Sequence, residues 1–134
     1  MRKADVLLAD DNPAMLDHVR NLLQANNQYN VVGALRKGTE VLREYERLRP
    51  DVIVLDISMD MLSGIDVAQH LRDEGCDAKI VFLTVHEDSD YLNAAISAGG
   101  SAYVVKSRLS TDLIPAITAV LANKMFVSSN MLYT

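Results

Sequence analysis

The chain has 134 residues, 49% of them apolar and 23% charged, enough for one domain with an ordinary buried core. Its formal net charge of −5 argues against a phosphate-backbone binder, whose affinity rests on clustered Lys and Arg, and its single cysteine, Cys76, excludes an intrachain disulfide and a thiolate metal cluster. No apolar stretch approaches the roughly 18 residues of a membrane span, and Met1-Arg2-Lys3 leads straight into a strand without a signal-peptide core, so a soluble, cytoplasmic protein with no membrane partner is expected.

The first strand is expected over Asp5 to Ala9, and Asn12-Pro13 then supplies a cap and a first-turn proline for a helix carrying Met15, Leu16, Val19, Leu22 and Leu23. A second strand follows from Tyr29 to Ala34, then a helix with Val41, Leu42, Tyr45 and Leu48 that ends before Pro50. The third strand runs from Val52 to Asp56, and its helix carries Ile65, Ala68 and Leu71 and stops at Gly75. Lys79 to Thr84 reads as the fourth strand, with Leu92, Ala95 and Ile96 on the next helix before Gly99-Gly100. Ala102 to Val105 is the fifth, and Leu113, Ile117, Val120 and Leu121 mark a last helix. That helix should begin about Thr111, which keeps Pro115 near its first turn. The domain is therefore expected over residues 1–122, with 123–134 a tail or the start of a linker.

Several of the strands are continuous in Val, Ile and Leu, as strands covered on both faces are. Five βα repeats imply an α/β fold, a doubly wound parallel sheet with right-handed crossovers. Ligands of such sheets bind beyond the carboxyl ends of the strands. Four of the five strands end there on chemistry: Asp10-Asp11, Asp56, Thr84 and Lys106. Three carboxylates held close raise one another's pKa unless a cation joins them, and an oxygen-only donor set favours Mg2+ or Mn2+. A carboxylate beside such an ion can accept a phosphoryl group, with Lys106 and the Thr84 hydroxyl facing the transferred oxygens.

Asp10-Asp11-Asn12-Pro13 alone would be no more than a capped helix start. Taken with Asp56-Ile57-Ser58-Met59 and Gly64, with Thr84, and with Tyr103-Val104-Val105-Lys106, it resembles the receiver domain of two-component response regulators, from about Val6 to Leu121. The resemblance implies a flavodoxin-like five-stranded sheet of order 2-1-3-4-5. It makes Asp56 the phosphoacceptor. Asp11, Asp56 and the Ser58 backbone carbonyl would be direct Mg2+ ligands, and Asp10 would act largely through water. Lys106 would pair with the phosphoryl group, Thr84 would bond it in the active state, and Tyr103 would be the switch aromatic, with plain packing as its alternative. Ser58 and His86 fall at positions that tune phosphoryl lifetime in this family, although a lone loop histidine also reads as simply exposed.

The resemblance further implies a phosphorelay in which a histidine kinase or phosphotransfer protein is the donor. The changed surface would be the face of the fourth helix, fifth strand and fifth helix, with a phosphorylation-dependent homodimer as its expected use. Asn123 to Ser129 looks like the region that follows receivers of LuxR-type transcription factors, so DNA would be reached only through an output domain absent from this chain. A single-domain regulator and a pseudo-receiver interaction module are the alternatives. A haloacid-dehalogenase-type phosphatase would need an acid two residues after Asp56, where Ser58 stands.

Three positions leave the family pattern. Asp60 replaces a common proline and adds charge beside the metal loop. Ser107 replaces a proline that commonly follows a cis peptide, a geometry that costs about 3–4 kcal/mol without proline. Val85 stands where a smaller residue is common and is expected to narrow access to Asp56. Leu92, Ala95 and Ile96 read as core, and Arg36-Lys37 with Arg43, Arg47 and Arg49 as a solvated face.

Overall fold

Alternation along the strands sorts their side chains onto two faces of one sheet. Leu7, Ile53, Leu55, Ile80, Phe82 and Tyr103 pack on one side, and Val6, Leu8, Val52, Val54, Val81, Leu83 and Val104 on the other. Both sets are buried, which explains the unbroken apolar runs. In the computed structural model, which describes residues 2–128, the strands are β1 (Ala4–Ala9), β2 (Tyr29–Leu35), β3 (Val52–Asp56), β4 (Lys79–Thr84), β5 (Ala102–Val105) and β6 (Phe126–Val127). All pairings are parallel, in the order β2-β1-β3-β4-β5-β6. The expected order of the first five is therefore found, with a sixth strand added at the β5 edge.

The helices are α1 (Pro13–Gln24), α2 (Gly38–Leu48), α3 (Gly64–Asp73), α4 (Ser89–Ser97) and α5 (Leu109–Leu121). Leu16, Val19 and Leu23 of α1 and Leu113, Ile117 and Val120 of α5 cover one face, while α2, α3 and α4 cover the other. Side chains cap three helix starts: Asn12 accepts from the Ala14 and Met15 amides, Ser63 from Asp66 and Asp88 from Tyr91. Arg72 closes the opposite end of the sheet, donating to the carbonyls of Cys76, Ala78 and Gly99 at 2.7–2.8 Å. Gly99 turns there with φ +99°, and a Cβ would meet the Arg72 side chain.

Three expectations need correction. α5 begins at Leu109, after a 3-10 turn over Lys106–Arg108, so Pro115 is its seventh residue and lies in the helix interior. Pro115 and Thr111 are both exposed, so the Thr111 carbonyl that loses its amide partner is left to solvent. The stretch after residue 122, expected as tail or linker, contains β6, because Phe126 and Val127 continue the sheet beside Ala102 and Tyr103. Residues 129–134 of that stretch lie outside the described residues. Ile96, expected in the core, is partly exposed, whereas Leu92 and Ala95 are buried as expected.

Candidate functional site

The carboxyl ends of β1, β3, β4 and β5 bring the expected residues together. Asp10 and Asp56 are each 2% exposed, and Asp11 is half-buried at the rim. One carboxylate oxygen from each of Asp10, Asp11 and Asp56 lies within 4.8 Å of the others. Lys106 reaches in from the end of β5, its Nζ 2.9 Å from Asp10 Oδ2 and 3.4 Å from Asp56 Oδ1. Asp10 Oδ2 has that ammonium as ion-pair partner but no aligned hydrogen-bond donor, while Asp10 Oδ1 accepts from the Asn12 amide at 2.9 Å.

Three carboxylates against one ammonium leave the cluster with excess negative charge. Burial, reinforced by the charge of Asp10, pushes the Asp56 carboxyl up to about 7, against the pull of Lys106 and of the Ser58 amide. Burial also opposes the Lys106 charge, but its close ion pair with Asp10 and the attraction of Asp56 outweigh that and hold its pKa above the usual value. The all-oxygen donor set, the negative excess and the under-satisfied Asp10 oxygen fit a hard divalent cation. Asp60, exposed on the next loop, is not one of this close group.

The loop after β3 is held by close backbone packing. The Ser58 amide donates to Asp56 Oδ1 at 3.3 Å, and the Gly64 amide donates to the Ile57 carbonyl at 2.8 Å. A Cβ on Gly64 would overlap the Asp56 carbonyl oxygen and stand 2.9 Å from its carbon, so only glycine lets α3 approach this loop. Lys106–Ser107 is trans, like every peptide bond among the described residues, which answers the proline-to-serine change without a costly cis amide.

Thr84 is buried, and its Oγ1 accepts from the His86 amide at 2.9 Å. The Tyr103 ring is buried, with its hydroxyl donating to the His86 carbonyl at 2.8 Å, and burial raises that phenol to about 12. His86 is not the merely exposed loop residue that a lone histidine suggests. It is half-buried, its Nε2 lies 3.1 Å from Ser58 Oγ, and its ring stacks on Tyr91 at 3.8 Å. The sequence carries no local sign of the Ser58 contact, since Ser58 and His86 lie 28 residues apart. Arg36, Lys37, Arg43, Arg47 and Arg49 are exposed, with Glu40–Arg43 and Glu44–Arg47 pairs along α2, as a solvated face requires.

A doubly wound sheet that gathers buried aspartates, a threonine and a lysine at its strand ends is the architecture of a receiver domain. A family model described as the response regulator receiver domain matches residues 6–118, and the chain belongs to that family. It is 33% identical over 129 residues to a nitrate/nitrite response regulator protein homolog of Haemophilus influenzae, covering 96% of this chain and 62% of that protein. The chain thus spans about three fifths of the length of the curated relatives it matches. Among solved structures, a LuxR-family two-component response regulator from Aurantimonas sp. SI85-9A1 is 32% identical, with TM-score 0.92, covering 96% of this chain and 92% of that one. The isolated receiver domain of RcsB from Salmonella enterica serovar Typhimurium, in the presence of phosphomimetic BeF3-, is 26% identical, with TM-score 0.88, covering 97% and 96%. Among the described residues no helix is long and apolar enough to cross a membrane.

Proposed function

We propose that the chain is a phosphorylation-activated switch in which Asp56 accepts a phosphoryl group from a histidine kinase or phosphotransfer protein, and that it controls transcription through an output domain in the full-length protein. The observation that carries this reading is Lys106 Nζ poised between Asp10 and Asp56 in a buried, oxygen-only carboxylate cluster. Asp10, Asp11, Asp56 and the Ser58 carbonyl would hold Mg2+ or Mn2+, which supplies positive charge to the carboxylates and to the phosphoryl oxygens.

Asp56 provides the attacking oxygen. As the new acyl phosphate bond forms and the bond to the donor breaks, Lys106 exchanges its carboxylate partner for a phosphoryl oxygen and stabilises the charge carried over. The Thr84 hydroxyl, which uses a lone pair on the His86 amide, keeps its proton available for a second phosphoryl oxygen. Moving Thr84 moves the His86 backbone, to which the Tyr103 hydroxyl is bonded, so the added charge reaches the α4-β5-α5 face. That face is the one whose affinity for a second copy, or for an output module, changes. Ser58 and His86 line the approach of water to the phosphoryl group and so set its lifetime. The domain is a stoichiometric acceptor that assists its own phosphorylation, and it works in the cytoplasm with its kinase.

Incubation with phosphoramidate or acetyl phosphate and Mg2+, followed by intact mass, tests the reading. One phosphoryl group per wild-type chain and none on Asp56→Asn is expected. No gain in wild type, or equal gain in both, refutes it.

A further inference from the structure

The proposed site leaves one buried acid unused. Asp112 stands on α5 only 6% exposed, where an aspartate in a first helical turn usually faces water, and Ser128, beyond β6, is fully buried against it. Asp112 Oδ2 accepts from Ser128 Oγ at 2.7 Å and from Arg108 Nε at 3.0 Å. A serine hydroxyl has one proton. Committed to Asp112, it leaves a lone pair on Oγ, and the Val105 amide donates to it at 3.1 Å. The Ser128 amide in turn donates to the Tyr103 carbonyl at 2.9 Å. Burial disfavours the Asp112 charge, but the Ser128 and Arg108 hydrogen bonds more than offset it and hold this carboxyl below its usual pKa.

These contacts bracket Lys106. Val105 precedes it and is held through Ser128. Arg108 ends the 3-10 turn that Lys106 begins and is held by the same carboxylate. We propose that Asp112 and Ser128 are positioning residues for Lys106, fixing the backbone that precedes it and the Arg108 side chain that closes the turn after it, and that the same contacts tie Ser128 to the state of the Asp56 site. The proposal rests on Asp56 being the phosphoacceptor. An ammonium that must meet a phosphoryl oxygen within hydrogen-bonding distance is sensitive to small backbone shifts. The contact works in both directions, because drawing Lys106 toward a phosphoryl group pulls on Val105 and so on Ser128.

The test uses the full 134-residue chain as wild type, Ser128→Ala, Ser128→Thr and Asp112→Asn. Val52→Ala serves as a control that opens a cavity at the start of β3, at the end of the sheet away from the site. The rate of Asp56 phosphorylation is followed by intact mass against phosphoramidate concentration at saturating Mg2+. Ser128→Ala and Asp112→Asn should lower the limiting rate about three- to tenfold with little change in the half-saturating concentration. Ser128→Thr should restore the rate, and Val52→Ala should lose melting temperature without losing rate. By hydrogen exchange, beryllofluoride with Mg2+ should alter protection of the Val105 and Ser128 amides in wild type, and the Val105 response should disappear in Ser128→Ala. If wild type is phosphorylated and Ser128→Ala reacts as fast, or slows no more than Val52→Ala, the positioning role is overturned while the Asp56 assignment stands. If wild type takes up no phosphoryl group, the Asp56 assignment falls and the positioning role with it.

Discussion

Asp56→Asn should make the metal-free protein more stable, by an amount set by pH. The side chain is replaced by a neutral one of the same shape, so the variant resembles wild type with Asp56 protonated. In the folded chain the carboxyl titrates at about 7, against an ordinary value of 3.8. Between those values the folded state holds a proton that the unfolded state has released, so wild-type stability falls as pH rises, and above about 7 the loss is complete. At about 1.36 kcal/mol per pH decade the full effect is roughly 4 kcal/mol. Water and ions at the half-open rim around Asp11 and Lys106 screen part of it, leaving about 1–2 kcal/mol. For a chain of this length that corresponds to a melting temperature higher by about 3–8 °C. Thermal melts in chelator from pH 4 to pH 8 should show no gain for the variant near pH 4, a rising gain to about pH 7 and a constant one beyond. Millimolar Mg2+ at pH 8 should raise the wild-type melting temperature more than that of the variant. A variant no more stable at pH 8, or equally stabilised at pH 4 and pH 8, would refute the account of a charge-strained acidic cluster.

Other consequences are as direct. Gly64→Ala drives a methyl group into the backbone of Asp56 and Ile57; it should cost about 1–3 kcal/mol in urea unfolding and weaken Mg2+ binding by calorimetry, because the metal loop must move. Arg72→Ala leaves three carbonyls without their donor and should cost about 2–4 kcal/mol while Mg2+ affinity stays at the wild-type value, since Arg72 lies at the other end of the sheet. Val85 is 67% exposed beside the site, and Val85→Ala should speed phosphorylation from phosphoramidate severalfold; an unchanged rate would mean that its side chain does not limit access.

The strands were legible because covering on both faces leaves an unbroken apolar signature, and β3, β4 and β5 have the bounds expected from those runs and the polar residues flanking them. The site was legible for a related reason: a parallel sheet places the ends of non-adjacent segments side by side, so Asp10, Asp56, Thr84 and Lys106 converge once the strands are known. What the sequence concealed depends on contacts between side chains. Asp112 reads as an ordinary first-turn acid until Ser128 is folded against it. β6 spans only two residues, too few for any periodicity, and its partner lies more than twenty residues earlier. Pro115 misplaced the start of α5 because proline is read as a first-turn residue, whereas its solvent-facing position lets the helix run through it.

β6 also bears on how the chain associates with itself. Without Phe126 and Val127 beside Ala102 and Tyr103, β5 would be the outermost strand, and its backbone groups would offer a template for pairing with another chain. A fragment ended at residue 122 would keep every side chain of the acidic cluster and yet expose that template. A boundary chosen from the five βα repeats alone would therefore leave out the short strand that covers Ala102 and Tyr103.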